Sequence, residues 1–313
     1  MIKRALLLLT LLFAVQFASR AQFYNGSMQK FGKNRVQYQD FLWQYYRFEG
    51  LETYFYKGGR DVARYVAISG HRNKRELERF FDYTLDDRIQ FLVYNSLGDF
   101  RQSNVGITGD DRYNIGGVAR IVGTKVFVYN EGDHDLLERQ VRGGIAEMMI
   151  GQMMYGGNWR QVIKNSTLLN LPDWFTKGLV AYCAGPWDAR SEGLIRDGVL
   201  GTRFKRFNRL EGEDATLAGL IVWTYVAETY GASVIPNILY MTRVSRNPES
   251  GFKYVLGTGL KQLTQECMDH YRSRYMEEDR PRAEAGMEEL KVKTRKNRTY
   301  GGFKLSPDGR YAA

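Results

Sequence analysis

The sequence predicts an α+β domain: a small mixed or antiparallel sheet with its helices comes first, and a mainly helical half follows. Three observations predict it. Leu51 to Tyr56 alternates and is aromatic, and Ile89 to Tyr94 is a short apolar run, so both read as strands. Gly116 to Val122 and Lys125 to Tyr129 flank Gly123-Thr124, as the arms of a hairpin would. From Asp133 to about Glu289 apolar residues recur at helical spacing with only short breaks. With 313 residues, 43% hydrophobic and 14% aromatic, the chain has material for one large core or two smaller ones.

The chain opens with the layout of a secretory signal over residues 1–21. Lys3 and Arg4 form a charged start, Ala5 to Phe17 an apolar stretch, and Ser19-Arg20-Ala21 a small-residue cleavage site, so the mature chain is expected to begin at Gln22. An N-terminal membrane anchor is the alternative, and the apolar run is short for it. No cysteine stands at the cleavage site to carry a lipid, and no later segment is apolar enough to cross a bilayer.

The formal charge is +10, and loss of Lys3, Arg4 and Arg20 would leave +7. That excess could favour anionic lipid surfaces, so peripheral membrane association stays open. No zinc finger, RNP strand or helix-turn-helix accompanies it, so a nucleic-acid partner is not expected. Residues 291–299, with the basic stretch Lys291 to Arg298, read as a solvated linker. Two cysteines, Cys183 and Cys267, are too few for a disulfide framework or a thiolate metal site. They could pair in an exported protein, but their half-apolar helical contexts suit buried free thiols slightly better.

Between the strands, Gln37 to Phe48 reads as extended and aromatic. Core packing explains most of its rings, while Tyr38, Trp43, Tyr45 and Tyr46 could in part line a groove. Gly58-Gly59 ends the next strand. Asp61 to Ile68 and Lys74 to Tyr83 then read as two helices, with His71 between them, and Asn95 to Asn104 as a polar helix or loop. Gly116-Gly117 lacks the Lys-Ser/Thr ending of a phosphate loop, and no Gly-x-Ser-x-Gly elbow occurs. Asn25, Asn165 and Asn297 begin glycosylation sequons, which would mean little if the source were bacterial.

Leu136 to Tyr155 carries Leu137, Val141, Ile145, Met148 and Met149 at helical spacing, with Gly156-Gly157 as a left-handed cap. Yet Gly143, Gly144 and Gly151 lie inside it, each costing roughly 1 kcal/mol relative to alanine. Close packing of another backbone against this face is one reason for them. Leu171 to Tyr182 then reads as a loop entering a second helix through Pro172-Asp173-Trp174-Phe175-Thr176-Lys177-Gly178-Leu179.

Together these two segments resemble the peptidase MA-like family of gluzincin metallopeptidases. That family carries His-Glu-x-x-His after a basic residue on the first helix. The second helix carries a Trp-Phe-x-Glu-Gly-Leu phrase whose glutamate completes the zinc site. Arg142 matches the basic residue. Gly143 falls at the first histidine, Gly144 at the catalytic glutamate, Glu147 at the second histidine and Lys177 at the ligand glutamate. Phe31 to Tyr38 with Leu51 to Tyr56 is similar to the leading segment of such domains in secreted Bacteroidetes proteins. Trp223 to Gly231 resembles the family's later helix ending in Tyr-Gly, and Phe252 to Leu260 with Leu263 to Tyr275 its closing helices. The resemblance covers roughly residues 31 to 275, without the defining catalytic signature.

It implies a peptidase-like domain over residues 22–290, with the sheet half at 31–130 and the helical half at 131–290. It implies that this copy has no metal, no cofactor and no catalytic residue. Glycine supplies neither ligand nor base, lysine is a cation, and Glu147 alone cannot replace about three protein ligands. His71, His134 and His270 read as surface or capping residues. The converging positions of Glu147 and Lys177 are expected to form an ion pair in place of the metal, and Arg142, Trp174 and Phe175 to line the old cleft. The chain is then expected to be exported to the periplasm or outer-membrane periphery, as a non-catalytic scaffold binding other envelope proteins, in an assembly such as a secretion system. A zinc peptidase with unidentified ligands and a structural spacer are the alternatives.

Residues 300–313 end in Leu305-Ser306-Pro307-Asp308-Gly309-Arg310-Tyr311, a turn between two short strand-like pieces that resembles one hairpin of a TolB-type, WD40-like propeller blade. One blade cannot bury its faces alone. The segment is therefore either the start of a propeller or a terminal hairpin.

Overall fold

The computed structural model describes residues 37–102, 121–122, 124–156, 169, 171–201 and 203–279, with residues 302, 304, 306–308 and 310 of the tail. The signal segment, the basic linker, the three sequon asparagines, Gly116-Gly117 and Gly157 lie outside them. The described residues fall into two units, one up to Tyr275 and one from Met276 onward.

The first unit is the expected α+β arrangement. Strands β1 (Gln44–Phe48), β2 (Leu51–Phe55), β3 (Ile89–Tyr94), β4 (Ile121–Val122) and β5 (Lys125–Tyr129) form one sheet in the order β1-β2-β3-β5-β4. The outer pairs β1–β2 and β4–β5 are antiparallel, and the inner pairs β2–β3 and β3–β5 are parallel. The sheet is therefore mixed. Helices α1 (Arg60–Phe81) and α2 (Leu97–Phe100) lie between strands in sequence. Then come α3 (His134–Tyr155), α4 (Asp173–Ala184), α5 (Ala189–Leu200), a 3₁₀ turn (Phe207–Arg209), α6 (Gly212–Tyr230), α7 (Val234–Ser245), α8 (Pro248–Leu256) and α9 (Leu260–Asp279).

Period-two alternation explains why β3 reads as an unbroken apolar run. Ile89, Phe91 and Val93 face the main core with Leu51, Val126 and Val128, under the helices. Leu92 and Tyr94 face the other way, into a second cluster with Tyr54, Tyr56 and Phe127. Phe41 and Trp43 cover that second face, so the inner strand is apolar on both sides. Most of the aromatic excess noted in the sequence is spent here. Trp43 meets Tyr56 and Tyr94 edge-on at 5.3 and 5.4 Å, and Tyr46 stacks on Phe55 at 4.9 Å. Tyr38 and Tyr45 remain exposed.

Glu52 sits on the same face as Tyr54 and Gln90, and its side chain is only 5% exposed. Burial alone would raise its pKa. Hydrogen bonds from Gln90, Tyr54 and Arg88, and the charge of Arg47, outweigh that and hold it at about 2, against 4.5 ordinarily. A carboxylate depressed in the folded state stabilises the fold above its unfolded pKa and loses that contribution as pH falls through the folded one. The stability difference between the wild type and Glu52→Gln is therefore expected to be full at pH 7. It should shrink between roughly pH 4.5 and pH 2, as read by urea melts across that range.

Where the sequence predicts two helices, α1 is one uninterrupted helix. Two of the polar residues in the predicted break, Ser69 and Asn73, are buried. Ser69 and Asn73 bond Glu138 of α3, and Gly70 lets Phe91 approach, since a Cβ there would sit 2.9 Å from its Cε2. His71 lies on the helix rather than between two.

Helix α3 starts at an Asp133 cap, whose Oδ1 accepts from Asp135 N at 2.8 Å and Leu136 N at 3.2 Å. Gln140 ties it to the sheet, donating to Tyr129 O at 2.9 Å and accepting from Tyr129 N at 3.0 Å. At its end Gly156 has φ +75° but ψ 151°, a positive-φ conformation that favours glycine yet lies outside the left-handed helical well.

Helices α4 and α6 cross at contact distance because both carry glycine at the crossing. A Cβ on Gly178 would collide with the Gly219 backbone, and one on Gly219 with the Trp174 carbonyl. Cys183 and Cys267 are both free and buried. Burial pushes the Cys183 thiol up to about 12 and raises Cys267 further, so neither offers a thiolate near neutral pH.

In the second unit α9 ends at Asp279. In the tail, Pro307 and Asp308 form a turn in which Asp308 Oδ1 accepts from Ser306 Oγ at 2.5 Å and Arg310 N at 3.2 Å.

Candidate functional site

The positions that resemble a metal centre lie on α3 and α4. Gly143 and Gly144 are buried, whereas Glu147, one turn on, is exposed. Gly144 is filled from the sheet side: a Cβ there would overlap Val126 Cγ1 of β5. The tight neighbour is a side chain, not another backbone. A glutamate could not occupy this position without displacing Val126.

Lys177 is also exposed, and its Nζ pairs with Asp173 Oδ2 at 2.6 Å, one turn earlier on α4. This corrects the expected Glu147–Lys177 cross-link. An i,i+4 pair on one helix needs no convergence of two elements. Among the described residues, no three of histidine, cysteine, aspartate and glutamate gather as a set that could hold a metal ion. His134 packs on Tyr65 at 4.8 Å and His270 on Tyr225 and Tyr271 at 5.5 and 5.2 Å, all away from these positions.

The three expected cleft residues separate. Trp174 and Phe175 are fully buried in the helical core beside Trp223 and Phe252, so they hold α4 in place and line no cleft. Trp174 Nε1 donates to Asn208 Oδ1 at 3.1 Å, and Trp223 Nε1 to Phe175 O at 2.9 Å, which satisfies both indoles. Arg142 does line a cavity, but a different one from that implied by the metal positions.

That cavity measures about 530 Å³ and lies among α1, α3, α4 and α6. Leu77 and Phe80 of α1 form one side. Tyr182, Trp187, Leu220 and Thr224 form others, and Arg142 and Glu228 bring opposite charges. Phe80 and Tyr182 lie tilted to each other with ring centres 6.3 Å apart.

Behind it a polar network locks α1, α3 and α4 together. Arg142 Nε donates to the Cys183 carbonyl at 2.6 Å, and its Nη1 to Asn73 Oδ1 at 2.8 Å and Glu76 Oε2 at 2.6 Å. Asn73 passes on to Glu138 Oε1 at 2.7 Å, which Arg72 also reaches at 2.6 Å. Tyr65 donates to Glu138 Oε2 at 3.0 Å, and Ser69 bonds the same oxygen. Burial would raise the Glu138 carboxyl, but these hydrogen bonds win and hold it below the usual range.

Sequence reasoning found Arg142 and missed Glu228, Phe80, Tyr182, Trp187 and the whole Glu138 network. Only the tertiary crossing of four helices brings these residues together, and no spacing in the sequence signals it. A scan against family models finds no match to the chain, and a search of curated proteins returns no significant relative.

Proposed function

We propose that this chain is a non-catalytic, exported scaffold that binds other proteins of the cell envelope, built on a peptidase-like domain whose metal chemistry has been lost. The observation that carries the reading is the chemistry of four positions. Gly143 and Gly144 supply neither imidazole nor carboxylate, and Val126 occupies the space a Gly144 side chain would need. Lys177 is a cation held by Asp173, and Glu147 is exposed on its helix. Zinc hydrolysis needs about three protein ligands and a base that activates the bound water, and these positions offer one carboxylate.

The secretory layout of residues 1–21 supports export. Among the described residues, no helix is long and apolar enough to cross a membrane. A role in an assembly such as secretion follows from the resemblance and the expected compartment, and a propeller begun at residues 300–313 would add a second binding surface.

Two measurements test this. Quenched fluorescent peptides of mixed sequence, incubated with the full chain and added zinc, are expected to show no chelator-sensitive cleavage. Sustained, chelator-sensitive turnover would instead support the metallopeptidase reading. Affinity capture from native envelope is expected to recover a stoichiometric protein partner, and recovery of none would favour a structural spacer.

A further inference from the structure

The cavity among α1, α3, α4 and α6 has walls and charges that specify a ligand. Its volume, about 530 Å³, lies in the usual range for small-ligand sites, roughly 300–1,000 Å³. Leu77, Phe80, Tyr182, Trp187 and Leu220 make it largely apolar and aromatic. Of its two charges, Arg142 is already answered, by Glu76 at 2.6 Å and by the Asn73 and Cys183 oxygens. Glu228 is not: its carboxylate has no partner among the described residues, although it lines the same space. Its field reaches the neighbouring phenols. Burial first, and then the Glu228 charge, raise the pKa of Tyr271, and Glu228 contributes likewise at Tyr182.

We propose that this cavity binds a primary ammonium or guanidinium carried on an apolar stem, with the cation at Glu228 and the stem against Phe80, Tyr182 and Trp187. Aromatic faces attract cations as well as apolar stems. A charge-assisted hydrogen bond to a carboxylate is about twice as strong as a neutral one. A neutral apolar ligand would leave Glu228 unanswered, and an anion would meet it directly while Arg142 is engaged elsewhere. The cation could be a lysine or arginine side chain of a partner polypeptide or a free organic amine. Binding of this kind does not depend on the loss of peptidase chemistry. Chelator-sensitive hydrolysis would overturn the proposed function and leave amine binding at Glu228 standing.

Calorimetric titration of the mature full chain with hexylammonium, hexanol and hexanoate tests it, together with a blocked alanine tripeptide bearing one central lysine. A cationic probe is expected to bind saturably at one site, with hexanol and hexanoate at least about tenfold weaker. Glu228→Gln should weaken the cation by about tenfold or more while leaving the melting temperature unchanged, since Glu228 is exposed and unpaired among the described residues. Tighter binding of the lysyl peptide than of hexylammonium would support a polypeptide source, and the reverse a free amine. Equal binding of hexanol or hexanoate, an unchanged affinity in Glu228→Gln, or no binding of either cation would overturn the proposal.

Discussion

Trp223→Ala is expected to destabilise the protein by about 3–5 kcal/mol. The side chain is fully buried on α6. Its ring meets Phe175 at 5.1 Å and Phe252 at 5.4 Å, joining α4, α6 and α8. Removing it leaves a cavity that rigid helices cannot close, and it strips the Phe175 carbonyl of the indole donor at 2.9 Å. That carbonyl keeps its helical partner, the Leu179 amide within α4, so the lost second bond adds little beyond the truncation range. Urea unfolding monitored by far-UV circular dichroism measures the effect. A loss below about 1 kcal/mol would mean that this aromatic cluster does not hold the helical half together.

Gly219→Val is expected to cost about 3 kcal/mol, although glycine is a poor helix residue. Two effects compete. Helix propensity favours replacing an interior glycine by up to about 1 kcal/mol. Against that, a Cβ at Gly219 meets the Trp174 carbonyl and the Gly178 Cα, both main chain. Side chains rotate away from a clash, but backbone moves only by shifting the whole of α4, so overpacking wins. Gly193 is the control, for it lies inside α5 with nothing near its Cβ position. Gly193→Ala should stabilise by up to about 1 kcal/mol. If both substitutions raised stability in parallel urea melts, the close α4–α6 crossing would be wrong.

The strands were legible in the sequence because two-sided burial leaves a plain signature. Ile89 to Tyr94 is apolar throughout, and both of its faces are covered. The glycines inside α3 suggest close packing of another backbone; at Gly144 close packing is present, but its neighbour is the Val126 side chain. What failed were readings that treat polarity as exposure. The polar stretch around His71 suggests a break in α1, yet Ser69, Gly70 and Asn73 within it are buried, Ser69 and Asn73 satisfied by Glu138 and Gly70 admitting Phe91. Trp174 and Phe175 do begin a helix, but both rings are buried in the core and line no cleft. The Glu147–Lys177 pair failed because Asp173 stands one turn from Lys177 on its own helix. The Glu228 cavity could not be read at all, since its walls come from residues more than a hundred positions apart.

The claim that the α3–α4 helix pair has given up metal chemistry is met most directly by metal analysis of the full chain, purified without chelators from cells supplied with zinc. Mass spectrometry of the metal content should find zinc far below one equivalent per chain, unchanged after dialysis against chelator. One tightly held zinc per chain, lost to chelator together with peptide hydrolysis, would contradict the account.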